Sequence, residues 1–341
     1  MNKIGIASVA AVVISGAAFA GYDSKSADTF IDGGSANVMG TFTGAQVAAM
    51  RGVSQRTSSI YATNWTADSN GASYTAGNMA SAVSTYGQGN WAYYCASGAG
   101  TNPSNYKINA ARPTGTNPPT PGQALQITGS ASSTASRYLY QDMSAQWAAR
   151  NAGDNIAWVE YDQYMSSTAS TSGNRTGGFL FGQNAAGTVG GMMTGMALEY
   201  GTTGAGTTTK QRSVFGYAYY TSGTTTGNYR FKLSDQALSS GGTSPLATSG
   251  GWTKQVMSWN QTTGEVNWYY SVDGGATYTG FYVNGAGAGL DVAEWDFYAS
   301  QATGSTTANA IFGDFSVYAT PAPGAAALVG LAGLMARRRR A

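Results

Sequence analysis

The sequence predicts an all-β protein, a two-layer antiparallel β-sandwich of the jelly-roll kind, with a short signal helix before it and a short apolar helix after it. Three observations point there. Short β-branched and aromatic runs are separated by Gly, Ser, Thr, Asn and Pro, the pattern of many strands joined by turns. Within those runs side chains alternate: in EVNWYYSV, Val266, Trp268, Tyr270 and Val272 share one face, and YRFKL alternates likewise. No sustained 3.6-residue periodicity competes outside the two ends. Composition agrees once it is weighed. Of 341 residues 48 are Gly and only 10% are charged, which by itself suggests a disordered coat. However, 42% are hydrophobic, with 8 Trp, 22 Tyr and 11 Phe, enough to build a core.

The expected strands are Ala124–Thr128, Tyr138–Gln141, Asn155–Tyr164, Phe179–Gly182, Met196–Tyr200, Val214–Tyr220, Tyr229–Leu233, Trp252–Asn260, Glu265–Val272, Tyr278–Val283, Trp295–Ala299 and Ile311–Tyr318. A dozen strands without an internal repeat suit a sandwich better than a propeller or solenoid. A domain this large buries enough surface to need no staple. Asn102–Gly122, with five prolines, and the Gly/Thr tract Gly201–Thr209 read as loops or linkers. Residues 21–72 lack a clear pattern and receive no assignment, so the sandwich is placed at residues 73–319.

The ends read as addresses. Met-Asn-Lys, an apolar run from Ile4 to Ala18 and the triplet Ala18-Phe19-Ala20 form a secretory signal peptide over residues 1–20, cleaved between Ala20 and Gly21. At residues 320–341, Thr320-Pro321-Ala322-Pro323-Gly324 is a helix-excluding spacer. Twelve small and apolar residues follow, Ala325 to Ala336, then Arg337, Arg338, Arg339 and Arg340. The apolar stretch is short for a bilayer, which takes about 20 residues, and the arginines favour the cytoplasmic side. Such a tail allows transient membrane contact during export. With these ends set aside, the body holds 16 acidic against 13 basic residues and no basic run. Nucleic acid is therefore not an expected partner.

The run TPAPGAAALVGLAGLMARRRRA resembles the PEP-CTERM sorting tail of exported bacterial proteins, with Pro321-Ala322-Pro323 where that family has Pro-Glu-Pro. The resemblance implies export machinery and an exosortase-like processing enzyme as partners, and a destination at the bacterial cell surface or extracellular matrix. The body resembles the concanavalin A-like lectin/glucanase and laminin-G-like sandwiches. The segments that carry this are GQALQITGS, NIAWVEYDQY, WTKQVMSWNQTTGEVNWYYSVDGG and a closing IFGDFSVYA with Asp314-Phe315. That resemblance implies a polysaccharide-related role.

The chemistry is narrowed by absences. Without His there is no Ser-His-Asp triad, Cys-His pair or His-bound metal, and a sole Cys95 forms no intrachain disulfide. In VEYDQY, Glu160 and Asp162 alternate along a strand and share a face. The laminarinase-type relatives of the fold carry a second Glu two or three residues further on, where this chain has Tyr164 and Met165, so half of a retaining pair is missing. SVDGGATY matches a single Asp-box, a turn in which Asp273 accepts backbone amides over Gly274 and Gly275, with Tyr278 packed beneath. Asp291, Glu294, Asp296 and Asp314 are the acids available to a structural calcium, the one cofactor considered; no EF-hand loop exists. Sugar stacking calls on aromatic rings, and Trp65, Trp91, Tyr93 and Tyr94 stand in loop-like context, with Tyr217, Tyr219 and Tyr220 in one strand.

The expected function is noncatalytic binding of polysaccharide or extracellular matrix by an exported, surface-sorted protein. The alternatives are a structural coat without a small ligand, and a glycoside hydrolase or polysaccharide lyase. N-terminal sequencing of protein recovered from outside the producing cell should begin at Gly21; a start at Met1 would overturn the signal-peptide reading.

Overall fold

A computed structural model describes residues 31–51, 58–79, 86–95, 102–129, 136–165, 175–183, 189–202, 210–237, 251–285, 287–300 and 309–321. The expected signal peptide and all of the expected sorting tail after Pro321 lie outside the described residues, as do residues 203–209 of the Gly/Thr tract. No described helix is long and apolar enough to cross a membrane.

In chain order the strands are β1 (Ile31–Ser35), β2 (Asn37–Thr43), β3 (Ser58–Thr63), β4 (Gly77–Asn78), β5 (Ala92–Cys95), β6 (Tyr106–Asn109), β7 (Ala124–Thr128), β8 (Ser136–Asp142) and β9 (Ile156–Met165). There follow β10 (Arg175–Gln183), β11 (Val189–Thr202), β12 (Lys210–Ser222), β13 (Thr225–Ala237), β14 (Gly251–Asn260), β15 (Glu265–Ser271), β16 (Thr277–Asn284), β17 (Asp291–Ser300) and β18 (Asn309–Thr320). Among the described residues two short α-helices intervene, α1 (Gly44–Met50) and α2 (Ser144–Ala148).

The strands form two sheets. One runs β1-β13-β12-β11-β10-β17-β8-β5; the other runs β2-β16-β15-β14-β9-β18-β7-β6-β4, with β3 added on β18. The sandwich expectation holds, and each of the twelve expected strands falls within one of these or within a residue of its ends. Pairing is antiparallel except between β1 and β13. The sandwich also takes in segments that lacked a pattern. β1, β2 and β3 come from before residue 73, and β6 comes from the stretch expected to be a loop. These strands are short or rich in Gly and Ser, so no alternation marked them.

The sheets meet through large aromatics. Trp295 stacks on Phe315 with ring centroids 5.2 Å apart, and Phe297 lies 4.3 Å from Phe312 and 5.8 Å from Trp91. Polar side chains cross the interior as well. Gln255 Nε2 donates to Gln163 Oε1 at 2.6 Å, and Gln163 Nε2 donates to Thr176 Oγ1 of the opposite sheet at 2.7 Å. Tyr161 Oη donates to the Met196 carbonyl at 2.9 Å, again across the sheets. Buried polar groups are tolerated when they are hydrogen-bonded, and this seam fixes the registry of one sheet on the other. It also fixes the sense of β9: Tyr161 and Gln163 point inward, so Glu160 and Asp162 point out from the second sheet.

That outward face is apolar at one end. The capping box of α1, in which Gln46 N donates to Thr43 Oγ1 (3.2 Å) and Thr43 N to Gln46 Oε1 (2.8 Å), starts the helix over it. Val47 then packs with Trp158, Val256, Tyr269, Tyr278 and Tyr318.

Sheet packing demands small residues where rings approach the backbone. A Cβ built on Gly178 of β10 would lie far inside contact distance of Trp295 Cζ2. Gly178→Ala should therefore destabilise the fold by about 1–3 kcal/mol or more, seen as a lower urea midpoint. Gly122→Ala, where the nearest atom to a new Cβ is 3.7 Å away, should leave the midpoint almost unchanged.

Candidate functional site

Where the outer apolar cluster ends, the same face becomes charged. β14 pairs with β9 so that Lys254 stands opposite Asp162 and Trp252 opposite Tyr164. Lys254 Nζ is 3.3 Å from Glu160 Oε1 and 3.3 Å from Asp162 Oδ1. The residue that ends α1, Arg51, forms an ion pair with the other oxygen of Glu160. On the far side, Arg112 holds Asp314 through two contacts, Nη2 to Oδ1 at 2.5 Å and Nη1 to Oδ2 at 3.4 Å.

A bulge in β18 brings Asp314 here. The pairing of β18 with β9 slips between Phe312 and Phe315, so Gly313 and Asp314 stand out of register. Gly313 keeps this approach close: a Cβ there would lie 3.0 Å from Asp162 Cβ and 3.2 Å from the Trp252 ring, and these neighbours would have to give way. The bulge is tied from the core side by Trp65, whose Nε1 donates to the Gly313 carbonyl at 2.5 Å.

Between these groups lies a cleft of about 250 Å³, floored by Asp162, Thr253 and Lys254, with Trp252 and Asp314 beside them and the loop Asn117–Thr120 as its far wall. The loop is tied to the second sheet: Trp252 N donates to the Thr116 carbonyl (3.0 Å), Trp252 Nε1 to Pro113 O (3.1 Å) and Asn117 Nδ2 to Val272 O (2.6 Å). Its fourth side is Gly274 of the Asp-box turn. There Asp273 accepts from Thr277 N (2.9 Å) and Ser271 Oγ (2.7 Å), and Tyr278 is buried below, as the sequence suggested.

The electrostatics are those of a half-dry site. Asp162 is 3% exposed, and its Oδ2 has no hydrogen-bond partner in the structure. Burial pushes its carboxyl up to about 6; Lys254 pulls against this, and the charges of Asp314 and Glu160 add to the rise. Burial alone would lower Lys254, but Asp162 and Glu160 hold it above the usual lysine value.

The other sequence-derived candidates are placed elsewhere. Trp65 and Trp91 are fully buried and Tyr93 is 7% exposed, so these three do not form an exposed sugar platform. They are core: Trp91 Nε1 donates to Tyr61 Oη at 3.0 Å and lies 3.1 Å from Tyr74 Oη. The side chain of Tyr94 lies outside the described residues. Tyr217 is buried on the outer face of the first sheet and stacks edge-on to Phe179, while Tyr219 and Tyr220 pack half-buried against the core. The four acids considered for calcium do not gather, and no metal-binding group of three is found among the described residues. Asp291 is beside Trp147, Arg150 and Gln261. Glu294 and Asp296 form a buried pair on the first sheet, both pushed up by burial, and Asp314 is on the second.

Glu160 and Asp162 do share a face, as alternation required. The sequence offered no route to Lys254, Trp252 or Arg112. A lysine two residues past a tryptophan in a strand is ordinary, and only the β9–β14 register sets it against Asp162.

No protein-family model and no curated protein matches this chain. Among solved structures it is similar to a marine alginate lyase of family PL-14 from Aplysia kurodai, at 13% identity over 64% of this chain and 88% of that one, with a TM-score of 0.40. It is also similar to the CBM2 module of the evolved Dit of Lactobacillus casei BL23 phage J-1 (12%, 62% and 76%, TM-score 0.31). An alginate lyase from Klebsiella pneumoniae is a third (8%, 59% and 82%, TM-score 0.36). Likeness at this level is a likeness of β-sandwiches and says nothing about a ligand.

The raised Asp162 carboxyl makes a stability prediction. Unfolded, it ionises near the ordinary carboxylate value; folded, it keeps its proton to about pH 6. Between those values the folded state binds the extra proton, so this group's contribution falls as pH rises, and the penalty is complete above about pH 6. Asp162→Asn should therefore gain on the native protein between about pH 4 and pH 7, by on the order of 2 kcal/mol. Urea unfolding of both proteins at the two pH values checks this; an unchanged difference would refute the buried-carboxylate account.

Proposed function

We propose that the protein is an exported, surface-sorted β-sandwich that binds a sugar unit of a polysaccharide or extracellular matrix at the Asp162 cleft without turning it over. The observation that carries this is Asp162 itself: a buried carboxylate with one oxygen lacking a partner, on a residue that lines a cleft beside Thr253, Lys254 and Asp314. Leaving such a group unsatisfied is costly, and a ligand hydroxyl would relieve the cost. A volume of about 250 Å³ is small for a drug-sized ligand and suits one ring of a longer chain. The walls are held by backbone hydrogen bonds and prolines, so the cleft is largely preformed.

Binding is favoured over hydrolysis by where the carboxylates are used. Glu160 is engaged by both Arg51 and Lys254 and lines no part of the cleft, so it does not join Asp162 in facing a ligand. Asp314 does reach the cleft, but as the partner of Arg112. Sorting by the Pro321-Ala322-Pro323 tail is part of the same proposal and is supported by the order of spacer, apolar stretch and arginines.

Retention of the full chain on immobilised polysaccharides, combined with assays for new reducing ends and unsaturated products, tests the reading. The expected result is retention without product. Failure to bind any polysaccharide would refute glycan binding, and product formation abolished by Asp162→Asn would make the cleft an active site. Gly313→Val, whose side chain would press on Asp162, Trp252 and Arg112 behind the cleft, should weaken retention by about tenfold or more. Deleting Arg337 to Arg340 should change the protein's location and leave its binding intact; unchanged sorting would refute the tail's role.

A further inference from the structure

The charged groups in and behind the cleft also bear on which sugar it takes. Three cations and three carboxylates meet around it, and each cation is already turned to a carboxylate of the protein. Arg51 pairs with Glu160, Lys254 stands 3.3 Å from both Glu160 and Asp162, and Arg112 grips Asp314 and donates to the Gln123 carbonyl at 3.0 Å. Two neutral donors are engaged in the same way. Thr253 Oγ1 donates to the Gln163 carbonyl at 3.0 Å, and Asn117 Nδ2 donates to Val272 O. Among the buried side-chain atoms of the lining residues, the one left without a partner is an acceptor, Asp162 Oδ2, and the Asp314 carboxylate lines the same cleft on a side chain 45% exposed.

Resting on the polysaccharide reading of this cleft, we propose that it selects an amino sugar in its ammonium form over neutral sugars, and rejects uronates. An ammonium brings three donors and a positive charge, which match a buried carboxylate oxygen and a second carboxylate nearby. A uronate brings a negative charge and acceptors, and would meet Asp162 and Asp314 with the neighbouring cations already occupied. N-acetylation removes the charge and all but one donor at that nitrogen, so an acetylated unit is bound less well. The buried position of Asp162 strengthens the discrimination, because charge interactions are screened less there than at the surface.

Calorimetric titration of the full chain with glucosamine oligomers, their N-acetylated counterparts, glucose oligomers and oligouronates is the test. Glucosamine oligomers should bind most tightly, about tenfold better than the acetylated set, with uronates weakest. Asp162→Asn should lose about tenfold for glucosamine oligomers only. Asp314→Asn at the rim should show a smaller loss in the same direction, and circular dichroism should report both variants folded. Equal binding of acetylated oligomers, preference for uronates, or glucosamine binding that neither variant alters would overturn the selectivity while leaving a polysaccharide site standing. Binding to none of these oligomers, together with no retention on any polysaccharide, would overturn the cleft reading itself.

Discussion

One strand with two chemically opposite faces is the constraint on which the rest depends. β9 lies between β14 and β18 in the second sheet. Its inward residues Tyr161 and Gln163 are held by hydrogen bonds to the opposite sheet, so the strand cannot slip by one position without burying Glu160 and Asp162 in the sandwich. The interior polar seam is therefore what keeps two carboxylates on the outside. A slip would also expose Val159 and Tyr161, and the cost of both errors acts in the same direction.

The outer face then settles a charge problem. Carboxylates beside an apolar cluster are costly to ionise unless cations accompany them. Arg51 arrives from the end of α1, Lys254 from the neighbouring strand and Arg112 from the loop before β7. Their pairing keeps the site close to neutral, but Asp162 reaches only one cation, and one of its oxygens is left over. The functional proposal and the pH-dependent stability both come from that imbalance.

Some buried residues act on the cleft from a distance. Trp65, an expected sugar-stacking ring, lies in the core and ties the Gly313 carbonyl, which stabilises the bulge that presents Asp314. The aromatic richness of the chain is thus largely structural. Rings that read as loop residues were drawn inward because they had the greatest apolar area to bury, and sequence context gives no measure of that area.

The sequence by itself determined the all-β class, the longer strands, the Asp-box turn and the shared face of Glu160 and Asp162. All of these follow from local rules: side-chain alternation, turn chemistry and the spacing of apolar residues. It also ruled out, for this sequence, imidazole chemistry and a disulfide within the chain. Tertiary structure alone decided that Lys254, Arg112 and Asp314 meet Asp162, that the proline-rich stretch closes a cleft, and that strands before residue 73 belong to the sandwich. These depend on strand register and on a bulge between segments about 90 to 200 residues apart. Side-chain periodicity says which face a residue takes, and only pairing between distant strands says what that face will meet.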